Sequence, residues 1–431
     1  MTLETIDTRD DGASLADLAR AGGTTPARTG EALESQLAYL RETRADHGYS
    51  PAVNRFFDLV LSYIDDAEAG HRAGTAKAAW MCGGLWSPLY YACDTIPISI
   101  NEVGRLGSAD AMNVAEDYFQ LPKESCSMVG AVLGEYFLRR ERTVPRLATY
   151  NMMCEPLNIA WELLRAEGVD VFRVEGANRP NTQDDPRRLE QIESFIRDEL
   201  RALSVWLRGS PADETRLGDE IKRYNRILAK VRRILHLRTD NPLYIRSLAT
   251  MYLLIGTGHY FGKPEAYEEV VDELLAELER PGNLRPYPKN LVRLVWSGGR
   301  GQEFGVYKTI DDSGGAVTAW HTPDEWTRGY REDLPPWQSY ADYLITGRTM
   351  IGTPVRHLAR IEETIAPFKA QGILFYGYVG CSFAGIHREI QATHFQKKGI
   401  PTIALEGSFQ VGPPSGQLLT RIRAFVEMLS R

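Results

Sequence analysis

The chain has little cysteine, no long apolar run and no excess of basic charge, and each shortage excludes a class of protein. No segment approaches the roughly 18 consecutive apolar residues of a membrane span. Lys and Arg number 50 against 57 Asp and Glu, a formal net charge of -7. A nucleic-acid binder that works by counterion release needs a basic face, which this balance does not supply. A local basic groove for a phosphorylated small molecule stays open. The five cysteines, Cys82, Cys93, Cys126, Cys154 and Cys381, are too scattered for a disulfide framework. No Cys-x-x-Cys or paired Cys/His zinc motif occurs. The first residues, MTLETIDTRDD, are acidic and polar rather than basic then apolar, which predicts no secretory signal and a cytoplasmic protein.

What is there is an ordinary globular balance: 431 residues, 43% hydrophobic and 25% charged, enough for two or three domains. Residues 1–35 show no sustained period and read as a loose arm. Helical spacing follows over 33–48 and 50–74, with Ser50 and Pro51 as N-cap and first helical residue. Then short apolar runs alternate with amphipathic segments. Strands are predicted over 75–81, 95–100, 146–152 and 169–175, with helices over 87–94, 108–119, 124–140 and 155–168. The section 184–280 is helical, and its Arg and Glu predict solvated faces with i,i+4 pairs. The last section returns to the first rhythm, with strands over 289–299, 316–322, 372–379 and 400–407 and helices over 304–315, 356–371, 384–398 and 417–429. These patterns predict an α/β protein of two Rossmann-like, doubly wound parallel-sheet domains with an N-terminal helical arm and a helical insert. The expected divisions are 1–75, 76–180, 181–285 and 286–431.

Placed on this map, Cys82, Cys154 and Cys381 each follow a strand, and Cys126 stands at the start of a helix. Ligands of open α/β sheets bind beyond the carboxyl ends of the strands, where helix N-termini favour thiolate over thiol. Each of these cysteines can also be a small buried residue. Three soft thiolates can hold an iron–sulfur cluster with one iron left open. His387 and His394, on the helix after Cys381, read as surface or capping histidines. WSGGRGQEFG, residues 296–305, suits an oxyanion at a helix N-terminus or is a tight turn, and Arg300 and Glu303 are its candidate polar groups. It is neither a Walker A loop nor GxGxxG. The aromatic stretch 326–343 covers a hydrophobic ligand or packs between domains.

The C-terminal stretch 372–429 carries a strand ending in one Cys, a Gly-Ile-Pro before a short strand, and an Arg-Ile-x-x-Phe-x-Glu-Met helix. Together with WSPLYYACDTIPIS at 86–99, AEDYFQLPKESCSMVGAVLGEY at 115–136 and YNMMCEPLNIAWELL at 150–164, it resembles the D-component of 2-hydroxyacyl-CoA dehydratases, relatives of benzoyl-CoA reductase subunits. The resemblance runs from about residue 76 to 431. It implies a [4Fe–4S] cluster held by three cysteines, here Cys82, Cys126 and Cys381, with Cys93 as the alternative to Cys82. The family's first cysteine directly precedes a Pro-Glu-Glu; here Ser87 precedes Pro88, and Leu89 and Tyr90 stand for the acidic pair. Cys154 matches a family cysteine that is not usually a ligand. The implied activity is a hydro-lyase reaction in anaerobic metabolism: a (R)-2-hydroxyacyl-CoA loses water through a ketyl radical to give an enoyl-CoA. The implied partners are a paralogous subunit or a second copy, and an ATP-dependent iron–sulfur activator. The same resemblance leaves open a benzoyl-CoA-reductase-like enzyme, a reductase with a double-cubane [8Fe–9S] cluster shared by two chains, and a non-catalytic structural subunit.

Overall fold

The computed structural model describes residues 31–100, 102, 109–150, 154–176, 186–280, 291–301, 303–321, 328–346, 354–408 and 414–431. The arm expected over 1–35 therefore lies almost wholly outside the described residues. The described residues begin with two helices, α1 (Glu31–Asp46) and α2 (Pro51–Arg72). Ser50 caps α2 as its sequence predicts, its hydroxyl accepting from the Val53 N–H, with Pro51 in the first turn.

The first sheet uses β1 (Lys77–Cys82), β2 (Thr95–Ser99), β3 (Arg146–Tyr150) and β4 (Asp170–Val174). Between them run α3 (Ser87–Ala92), α4 (Ala109–Asp117), α5 (Ser127–Arg139) and α6 (Glu155–Ala166). The second sheet uses β5 (Val292–Gly298), β6 (Gly315–His321), β7 (Gly372–Tyr378) and β8 (Thr402–Gly407). All eight strands fall where the apolar runs predict them. Every pairing is parallel, and the strand orders are β2-β1-β3-β4 and β6-β5-β7-β8. The second sheet thus repeats the first strand for strand. In each, the chain reverses its winding direction between the first and third strands, β1/β3 and β5/β7, and a crevice opens at such a point. Parallel strands are covered on both faces, which is why β6 is buried at every position and reads as an unbroken apolar run.

Among the described residues four α-helices separate the sheets in sequence: α7 (Pro186–Arg208), α8 (Glu214–Asp240), α9 (Ser247–Gly256) and α10 (Pro264–Glu279). They pack against both α/β units. Arg216 of α8 pairs with Asp94 of the first unit at 2.5 Å. Buried Arg238 of α8 donates to the carbonyls of Ile245 and Val317, the latter on β6. The charges of this section mostly pair between helices rather than i,i+4 within one: Arg226 and Lys230 of α8 hold Glu268 of α10 at 2.7 and 2.9 Å.

The second unit is completed by α11 (Gly305–Asp312), α12 (Pro336–Thr346), α13 (Pro354–Ile365), α14 (Ser382–Lys397) and α15 (Gly416–Ser430). The aromatic stretch packs between parts of the protein. Tyr330 stacks on Tyr343, Tyr224 of α8 meets Tyr330 edge-on, and the Tyr340 hydroxyl donates to the Trp86 carbonyl of the first unit at 2.9 Å. Among the described residues no helix is long and apolar enough to cross a membrane.

Candidate functional site

The carboxyl ends of the two sheets meet at the turn that follows β7. Gly380 has a φ of +75°, and a Cβ on it would sit 2.4 Å from the Ser125 carbonyl oxygen and 2.6 Å from that of Glu124. Only glycine fits both the conformation and the space. On the other side of this contact the Ser127 N–H donates to the Val379 carbonyl at 3.0 Å. Cys126 lies between these two contacts and Cys381 directly follows them; the two come from different α/β units, and their sulfurs share a hydrogen bond. Cys126 is the N-cap of α5 and 6% exposed, and the N–H groups of Met128 and Val129 at the start of that helix favour its thiolate. The bond to Cys381 and burial push the Cys126 thiol far above the ordinary range.

Cys154 is the N-cap of α6 and half-buried; burial raises its thiol, and Cys381 adds to the effect. It follows the third strand of its sheet as Cys381 follows the third strand of the other. Cys82 is buried at the carboxyl end of β1, beside Thr149 of β3. It therefore flanks the same crevice as Cys154. Cys93 points elsewhere. It ends α3 with its sulfur 3.9 Å from the Ser204 carbonyl of α7, and burial raises its thiol to about 12.

The glycine-rich turn after β5 lies on the same side. A Cβ on Gly298 would stand 2.2 Å from the Tyr376 carbonyl oxygen, and one on Gly299 would meet the Tyr378 ring. Tyr378 is placed between the two halves of the site. Its phenol oxygen accepts from the Gly301 N–H, and it lies within electrostatic reach of Arg300, Cys126 and Cys381. Arg300, 4% exposed, is held by Glu102, a fully buried carboxylate of the first unit. That ion pair ties the two α/β units together, and it commits Arg300 to the protein itself. Glu303 accepts from the Tyr376 hydroxyl at 2.7 Å and from the Ser408 N–H. Burial outweighs both bonds and raises its carboxyl above the ordinary range. Trp296 stacks on Tyr307 and Tyr376 at 4.7 and 4.9 Å, a rigid floor beneath the turn.

Sequence reading named Cys126, Cys381, Arg300 and Glu303 but not Glu102, Tyr376 or Tyr378. The two tyrosines sit inside a strand whose apolar run already explains them, and Glu102 matters only through a residue about 200 positions away. His394 is half-buried against Glu362 at 3.1 Å, as a surface histidine should be. His387 instead approaches buried His357, which in turn approaches buried His321 at the end of β6.

An iron–sulfur group suits this donor set in kind, since the crevice gathers sulfur and Cys126 and Cys381 already touch. It is not preformed: among the described residues no three His, Cys, Asp or Glu side chains are arranged around one metal position. Seating a cluster requires the thiols to part by side-chain rotation, because sulfurs around one cubane stand roughly 6–7 Å apart, taking metal–thiolate bonds of about 2.3 Å.

No curated protein matches the chain. A family model described as 2-hydroxyglutaryl-CoA dehydratase, D-component, matches residues 87–429, which spans both sheets apart from β1 and includes Cys126 and Cys381. Members of that family work within multi-subunit dehydratases. By sequence and by its two parallel sheets, the chain belongs to the 2-hydroxyglutaryl-CoA dehydratase D-component family.

Proposed function

We propose that the protein is the iron–sulfur subunit of a radical 2-hydroxyacyl-CoA dehydratase, removing water from a (R)-2-hydroxyacyl-CoA to give the enoyl-CoA. The observation that carries this reading is the meeting of Cys126 and Cys381 between facing sheet ends, in a chain of this family. Those two thiols would hold a [4Fe–4S] cluster, with Cys82 as the third. Bound there, the cluster supplies a low-potential electron and an open Lewis-acidic iron.

The chemistry needs such help because the hydrogen on C3 is too weakly acidic for an ordinary general base. A ketyl radical of the thioester acidifies it. The N-termini of α5 and α14 both open at this crevice, and their N–H groups favour negative charge on thiolates and on a thioester oxygen. Glu303, whose carboxyl burial raises above the ordinary range and whose position Tyr376 fixes, is the group suited to exchange a proton beside the turn. The Arg300–Glu102 pair positions that turn against the first unit. A paralogous subunit or second copy and an ATP-dependent activator complete the assembly in this reading.

Iron and sulfide analysis of protein purified without oxygen tests it. About four irons per chain are expected, with strong depletion in Cys126→Ser and Cys381→Ser. Loss with Cys82→Ser and retention with Cys154→Ser supports the assigned third ligand; the reverse transfers that role to Cys154. Eight irons with nine sulfides per pair of chains, rather than four of each per chain, favours a double-cubane reductase, and no iron in any preparation refutes the reading.

A further inference from the structure

The contact that joins the two sheets is a contact between reduced thiols. The backbone is held on both sides of Cys126 and just before Cys381, by the Ser127–Val379 hydrogen bond and by the Gly380 turn seated on the carbonyls of Glu124 and Ser125. A disulfide needs Cα atoms about 4.4–6.8 Å apart; thiols already in hydrogen-bond contact, next to backbone held together at Ser127–Val379 and at Gly380, are placed to reach that span by local adjustment. The two sulfurs differ in access: Cys126 is 6% exposed, whereas Cys381 is half-buried. Cys93 is turned to Ser204 and takes no part.

We propose that Cys126 and Cys381 are a redox pair that a peroxide closes into a disulfide between the two α/β units, and that this disulfide and an iron–sulfur cluster exclude each other. The first half rests on the thiol contact alone; the second rests on the function proposed above. The Cys381 sulfur attacks the peroxide, one oxygen is transferred to give a sulfenic acid, and water leaves. The Cys126 sulfur then attacks that sulfur. The S–S bond forms as the S–O bond breaks, and the oxygen leaves as a second water with the proton of the Cys126 thiol. Two thiols lose two electrons and one hydrogen peroxide becomes two waters. The product has no thiolate at either position, so neither sulfur can bind iron until a dithiol reduces it. Oxidation thus stores the site in a closed form rather than destroying it.

The test uses the full chain, stripped of metal and treated with hydrogen peroxide. Free thiols counted after denaturation should fall from the five of the reduced chain to three and return with dithiothreitol. A non-reducing tryptic map should join fragment 124–139 to fragment 370–388. In Cys126→Ser the link should be lost and Cys381 should stop at a sulfenic acid that dimedone traps. Wild-type oxidised protein should lose most of its iron uptake from ferrous iron and sulfide, and regain it on reduction. A map joining 370–388 to 147–165, the fragment of Cys154, overturns the pairing. So does a thiol count that stays at five, or Cys381 oxidised beyond sulfenic acid with no link. Iron uptake that survives the mapped disulfide overturns only the exclusion. A reduced protein that takes up no iron instead removes the proposed function and leaves the redox pair standing.

Discussion

Replacing Gly380 by alanine should separate the two halves of the site. The backbone there is left-handed, at φ +75°, which costs an alanine about 1–2 kcal/mol. The added methyl also meets backbone on the facing segment, at 2.4 Å from Ser125 O, 2.6 Å from Glu124 O and 2.7 Å from Ser125 C. Backbone cannot rotate out of the way, so overpacking adds about 1–3 kcal/mol, or the β7–α14 turn lifts off. Gly399 is the control. Its φ is +74° and nothing lies within 4 Å of its added Cβ. Gly399→Ala should therefore show the conformational cost alone, and the difference between the variants, about 1–3 kcal/mol, measures the docking. Urea unfolding gives the stabilities, and the rate at which a thiol reagent labels Cys126 reads the site. Gly380→Ala should speed that labelling and deplete iron, while Gly399→Ala should leave both unchanged. Equal stabilities with Cys126 still protected in both variants would refute the idea that this glycine assembles the site.

Arg300→Met strips the partner from buried Glu102 and should cost about 3–5 kcal/mol, much of it recovered by adding Glu102→Leu, as urea midpoints would show. His47 should make the fold acid-sensitive. Burial lowers it to about 4, and it takes the Arg246 N–H on Nε2 and bonds the Thr43 carbonyl through Nδ1. The unfolded chain binds the proton first, so this stability is full above about pH 6.5 and is lost as pH falls toward 4. The loss is about 2 kcal/mol by pH 5, and His47→Asn should flatten that slope. Glu268→Gln, which breaks the bridge between α8 and α10, should cost under about 1 kcal/mol and show a smaller difference from wild type at high salt.

The strands were legible because parallel sheets bury both faces and leave continuous apolar runs such as 372–379. Their order was not, since nothing local says that β1 lies between β2 and β3. Helix α9 was legible only as part of the helical section 184–280, because SLATMYLLIG is buried all round and shows no polar face to give it bounds. Helix α12 escaped because its tyrosines and Trp337 pack in several directions at once. At the site, Cys126 and Cys381 were named through family likeness. The approach of Cys154 to Cys381 follows from two similar sheets facing each other, which a linear pattern does not encode. The pairing of Arg300 with Glu102 is hidden for the same reason, each charge being unremarkable until the other is opposite.

The long sequence interval between the two thiols also sets a timetable for synthesis. The first sheet is complete at Val174, but Cys381 follows some two hundred residues later. At about 5–20 residues per second the ribosome needs roughly 10–40 s to cover that interval. Until then the first unit lacks the turn that shields Cys126, although everything else around that cysteine can fold. A growing chain therefore passes through a stage with a folded first sheet and an uncovered thiol. The site closes last, and, in the function proposed above, any factor that delivers iron and sulfide during synthesis has that interval in which to meet the first unit's cysteines before Cys381 exists.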